Sequence, residues 1–65
     1  MCLSTVYKGN AVSDDNKLAE YVTNIELDEE SGSIRLYDIT GDTYDFKGRL
    51  RAVDLVKNVA FLQLD

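Results

Sequence analysis

From residue 17 onward the apolar positions recur every second residue and rarely every third or fourth, which is the spacing of a β-strand and not of a helix. Tyr21, Thr23, Ile25 and Leu27 fall on one face of such a strand, and Glu20, Val22, Asn24 and Glu26 on the other. Ile34 and Leu36 alternate with Arg35 and Tyr37, and Tyr44 and Phe46 with Thr43 and Asp45. This is the pattern of antiparallel strands with one face buried. The polar run Asp28 to Ser33 around Gly32 reads as a turn, and Thr40-Gly41-Asp42 as a tighter one, while Gly48 reads as a break or bulge. Lys57-Asn58, between two apolar runs, reads as a two-residue hairpin loop. Strands are expected near residues 2–8, 18–28, 33–39, 42–47, 50–56 and 59–64, with Gly9 to Lys17 as the one longer loop, able to hold a single helical turn. The fold class is therefore all-β: a small antiparallel barrel or half-barrel of about six short strands, closure being the simplest way to remove exposed edges. Proline is absent, as uninterrupted ladders require, and without repeats or linkers residues 1–65 are expected to be a single domain.

Length sharpens the picture. A chain of 65 residues buries only ~60% of the surface its unfolded form exposes. Domains of this size usually add disulfides, a metal or a partner subunit, and a single cysteine excludes an intramolecular disulfide. Metal binding and a homodimer are thus expected first. A formal charge of −5 with scattered basic residues disfavours nucleic acid, whose binding rests on cationic neutralisation of phosphates. The seed for an RNA-binding alternative is Lys47, Arg49 and Arg51, with Tyr44 or Phe46 as a stacking platform; that basic trio reads more simply as a solvated strand face. No stretch approaches the ~20 apolar residues of a membrane span, and the opening Met-Cys-Leu-Ser-Thr resembles no secretory signal. A lone thiol without such a signal points to the reducing cytoplasm.

Candidate chemistry is sparse. Histidine is absent, which removes Ser-His-Asp and Cys-His catalysis and the common zinc sites. The glycines fit neither a phosphate loop nor a dinucleotide fingerprint. Asp14-Asp15 and Glu29-Glu30 lie in expected turns, where acidic residues serve turn geometry and solubility, so no enzyme is expected. Cys2 differs because of its position. Its thiolate, its own backbone nitrogen and the Met1 amine can close two fused five-membered chelate rings that hold three donors in one plane. A planar nitrogen-and-sulfur field suits Ni(II) or Cu(II), whereas Zn(II) prefers a tetrahedron. Two other readings stay open at this point: Cys2 as an inert buried thiol in a structural or interaction protein, and Cys2 in an intermolecular disulfide.

Read end to end, the chain resembles the CooT family of small proteins associated with nickel delivery to carbon monoxide dehydrogenase. The resemblance is carried by Met1-Cys2-Leu3-Ser4, by Glu20-Tyr21-Val22 with Ile25-Glu26, and by Ile34-Arg35-Leu36 followed by Asp38-Ile39-Thr40-Gly41. Gly48-Arg49-Leu50, Val53-Asp54-Leu55 and Val56-Lys57-Asn58 complete it. It implies Ni(II) bound through Cys2, a homodimer, a nickel-enzyme client and no activity of its own. Hydrogenase-maturation chaperones also begin Met-Cys-Leu but continue into a proline, which this chain lacks.

Overall fold

The computed structural model describes residues 3–65; Met1 and Cys2, on which the metal-ligand expectation falls, lie outside the described residues. Five strands follow one another along the chain: β1 (Ser4–Lys8), β2 (Lys17–Asp28), β3 (Ser33–Asp38), β4 (Thr43–Asp54) and β5 (Val59–Leu64). A single 3-10 turn, Asp14–Asn16, occupies the longer loop. The strands close into a barrel in sequence order, each antiparallel to the next, with β1 and β5 joined by a parallel ladder from Thr5↔Val59 to Lys8↔Leu62. That parallel seam follows from the odd number: in an up-and-down meander of five strands the first and last run the same way.

The all-β barrel matches the sequence reading, and the strand count differs for an identifiable reason. The segments read as two strands, 42–47 and 50–56, are one element, β4, which passes straight through Gly48. Gly48 has φ 149°, and a Cβ built there would lie 2.2 Å from the Gln63 carbonyl oxygen. The glycine thus permits a bend at close backbone approach rather than ending the strand. The first half of β4 pairs with β3 (Ser33↔Lys47 to Tyr37↔Thr43) and the second with β5 (Gly48↔Leu64 to Asp54↔Val59).

β2 bends in the same way and exchanges partners, with β1 beside Lys17 to Val22 and β3 beside Val22 to Asp28. Strict alternation fails there. Register shifts between Ser4 and Val6 and between Val22 and Asn24 each insert an extra β2 residue, and Tyr21 adopts φ 55°. The result corrects the expected faces: Val22 is buried at 3% exposure and Tyr21 is turned out at 60%. A bulge shifts by one residue which side chains meet the core.

The core consists of Val6, Ala19, Val22, Ile34, Leu36, Ala60 and Leu62, with Leu18, Ile25, Tyr44, Phe46, Leu50 and Leu64 packed against it. Every strand contributes, so each ladder is locked by burial of its inner face. On the outer side of the β1–β5 seam the rings of Tyr7 and Phe61 stack with centroids 6.0 Å apart.

Candidate metal centre at the amino-terminal end of the barrel

Leu3, half-buried, is the first described residue, and β1 enters the barrel beside two elements. Ser4 pairs with Val22 at the β2 bulge, and the Thr5 amide donates to the Asn58 carbonyl at 3.1 Å. The amino-terminal entrance therefore lies between the β2 bulge and the β4–β5 turn.

That turn differs from the two-residue loop expected from the sequence. β4 ends at Asp54, and residues 55–58 all belong to the turn. The Asp54 carboxylate accepts the amides of both Val56 and Lys57 at 3.0 Å, fixing the backbone before it can extend, and Asn58 closes the turn at φ 57°. As a result Leu55 is 82% and Val56 92% exposed, held out by a fixed backbone. Tyr21, at the β2 bulge, and Ile39, in the β3–β4 turn at the other end of β4 from Leu55 and Val56, are also exposed, linked by the Ile39 amide donating to the Tyr21 carbonyl at 3.0 Å. Leu55 and Val56, with Val53, leave exposed apolar surface in and beside the β4–β5 turn, to which the start of β1 is fastened. The sequence offered Leu55 and Val56 only as strand residues; the signal that could have placed them outside is the aspartate two residues before Val56, an Asx-turn acceptor.

Acidic residues are engaged elsewhere. Asp38 is held by Thr40, whose hydroxyl and amide donate at 2.6 and 2.9 Å, by the Asp42 amide at 3.1 Å and by the Tyr44 hydroxyl at 2.7 Å. These donors, the Thr40 hydroxyl first, hold its carboxyl below the ordinary range, while the same bond to Asp38 raises the Tyr44 phenol. On the outer face the Arg35 guanidinium lies 2.7 Å from Asp45 and lowers that carboxyl. Asp14 sits 3.6 Å from Lys17, which also meets Glu20 at 2.8 Å. Among the described residues no group of three or more carboxylate, thiol or imidazole side chains is arranged to hold a metal. Asp14-Asp15 and Glu29-Glu30 lie on exposed turns, as their sequence context suggested.

The residues of the RNA-binding alternative are not assembled into a platform. Tyr44 and Phe46 pack against the core, Lys47 donates to the Ser33 hydroxyl at 2.8 Å, and Arg51 to Gln63 at 3.4 Å. Two of the three cations are thus tied to their own barrel and the aromatics face inward. A stacking surface needs the reverse arrangement.

Among the described residues no helix is long and apolar enough to cross a membrane. No curated protein matches the sequence. The family described as CO dehydrogenase accessory protein CooT matches residues 1–63, a span that includes the Met1-Cys2 pair, the bulged β2, the Asp38 turn and the Leu55-Val56 turn. An accessory protein of an enzyme is not itself the catalyst, which agrees with the lack of catalytic groups in the sequence. The chain belongs to the CooT family of carbon monoxide dehydrogenase accessory proteins.

Proposed function

We propose that the protein carries Ni(II) on its amino terminus for delivery to a nickel enzyme, carbon monoxide dehydrogenase being the client that the family implies. The observation that carries this reading is the family match across residues 1–63, beginning at the Met1-Cys2 pair whose donor chemistry suits a planar Ni(II) site. Cys2 supplies the thiolate anchor, and the Met1 amine and the Cys2 backbone nitrogen complete a three-donor chelate. Nickel is cargo here, so a site at an open chain end, exchangeable with an acceptor's ligands, suits the task better than a closed four-ligand cage.

The fourth donor comes from a second copy of the chain. A homodimer formed through the amino-terminal end would cover Leu55 and Val56 and bring two amino termini together, each supplying a thiolate. The exposed apolar residues at that end support this arrangement, as does the small core of a 65-residue chain. The single thiol agrees with work in a reducing cytoplasm.

A thiol-reactivity assay tests the ligand assignment. Bound nickel protects Cys2 from alkylation, because the thiolate lone pair is engaged with the metal. Equal alkylation rates with and without nickel would return Cys2 to the inert reading.

A further inference from the structure

We propose that Asp54 is a positioning residue for the dimer: by fixing the turn that follows β4, its carboxylate holds Leu55 and Val56 in the one arrangement that a second copy meets. The inference rests on the reading of this turn as the contact between two chains, and adds what makes that contact rigid.

The observation begins where the β4–β5 ladder stops, at Asp54↔Val59, which leaves four residues to reverse the chain. Three contacts set their conformation. One oxygen of the half-buried Asp54 carboxylate accepts the amides of both Val56 and Lys57 at 3.0 Å, so the chain cannot stay extended beyond β4. Asn58 closes the turn at φ 57°, a region that asparagine adopts more readily than most residues. Its carbonyl then accepts the Thr5 amide at 3.1 Å. The turn is thus tied by Asp54 where it leaves β4 and by β1 where it enters β5.

What this bracing displays is apolar. Leu55 is 82% and Val56 92% exposed, and Val53, two residues before Leu55, is itself 49% exposed. The hydrophobic effect favours the opposite arrangement, with Leu55 folded back over Val53. The Asp54 carboxylate opposes that collapse by holding the backbone between them. A partner that meets a fixed apolar pair does not have to order it, and ordering flexible segments is a principal cost of association. In a two-fold dimer the same turn is used twice, so its rigidity counts twice. Asp54 therefore acts on a shared metal only through the dimer, without being a ligand.

The test uses the whole chain without metal. Sedimentation should give Asp54→Ala a dimer dissociation constant about a hundredfold above the native one, about tenfold for each loosened turn. Asp54→Asn, whose amide oxygen still accepts both backbone amides, should stay within about threefold of native. A second readout is taken in the monomeric background Leu55→Glu, Val56→Glu, where adding Asp54→Ala should speed hydrogen exchange at the Thr5 amide and adding Asp54→Asn should not. Circular dichroism checks the fold, and should Asp54→Ala fail to fold, Asp54→Glu takes its place, keeping the charge while moving the carboxylate one methylene away from the turn. The inference alone is overturned if the Asp54→Ala dimer is as tight as native, if Asp54→Asn is as weak as Asp54→Ala, or if Thr5 exchange is indifferent to both. A native chain that is monomeric, or a dimer that persists in Leu55→Glu with Val56→Glu, overturns the dimer reading and the inference together.

Discussion

The amide of Thr5 donates to the carbonyl of Asn58 across 3.1 Å, fastening the strand that follows Cys2 to the turn that displays Leu55 and Val56. The start of β1 and the exposed apolar pair are thereby held at one end of the barrel. A partner that covers Leu55 and Val56 therefore also approaches the start of β1.

The dimer gives the first prediction. The native protein should scatter light as a dimer at micromolar concentration without metal, and Leu55→Glu with Val56→Glu should convert it to a monomer. Both side chains lie in solvent within the chain, so the circular dichroism spectrum should stay unchanged. A native monomer, or a dimer indifferent to both substitutions, contradicts the assignment of this end as the interface.

Gly48 gives the second. Alanine there requires a left-sided φ of 149° and sets a methyl carbon 2.2 Å from the Gln63 carbonyl, backbone that cannot swing aside. Gly48→Ala should cost about 3 kcal/mol, combining overpacking with backbone strain. A urea midpoint within error of the native value would show that β4 does not need this close approach. Gly41→Ala is the control: it has positive φ, at 91°, but nothing within 4 Å, so only the strain should register.

The third concerns acid stability. The Thr40 and Tyr44 donors lower the Asp38 carboxyl in the folded state, so its contribution is fully present above the ordinary carboxylate value and is lost as pH falls through the folded one. Tyr44 has the opposite sign: its phenol is raised by Asp38, so its contribution is present below the ordinary tyrosine value and is lost as pH climbs through the folded one. Asp38→Asn should lower the urea midpoint at pH 7 and lose less stability than the native chain on going to pH 3. Parallel pH profiles for the two proteins would remove Asp38 from this role.

Much of the barrel is legible in the chain because its inner faces alternate cleanly where strands are regular. Ile34 and Leu36, Tyr44 and Phe46, and Ala60 and Leu62 all point inward as a period of two demands. Reading fails where the backbone is irregular. At Tyr21 an inserted residue exchanges its face with Val22, and no local residue type marks it, since tyrosine is not a residue that favours φ 55°. Gly48 reads as a stop because glycine both ends strands and bends them, and only the approach of Gln63 separates the two meanings. Leu55 and Val56 read as strand because they are aliphatic, and the Asp54 carboxylate that prevents it acts on backbone amides. The metal chemistry proposed for Met1-Cys2 rests on sequence for the opposite reason: a chelate through the amino terminus depends on covalent order and needs no fold to assemble it.

The fourth prediction follows from that chelate. The Met1 amine, the Cys2 thiol and the Cys2 amide must each lose a proton to bind, so nickel uptake should release protons and weaken steeply below neutral pH. Calorimetry in buffers of different ionisation enthalpy reads the proton count. An affinity independent of pH between 6 and 8 would point to carboxylate ligands instead, with Asp14-Asp15 and Glu29-Glu30 as candidates.

The central claim is that nickel is held through Cys2 and shared between two chains, and native mass spectrometry of a nickel titration, run beside Cys2→Ser, tests it most directly. The native protein should saturate at one nickel per dimer, and the serine variant should remain a folded dimer that binds none. Undiminished nickel binding by Cys2→Ser would contradict the ligand, and two independent nickels per native dimer would contradict the shared site.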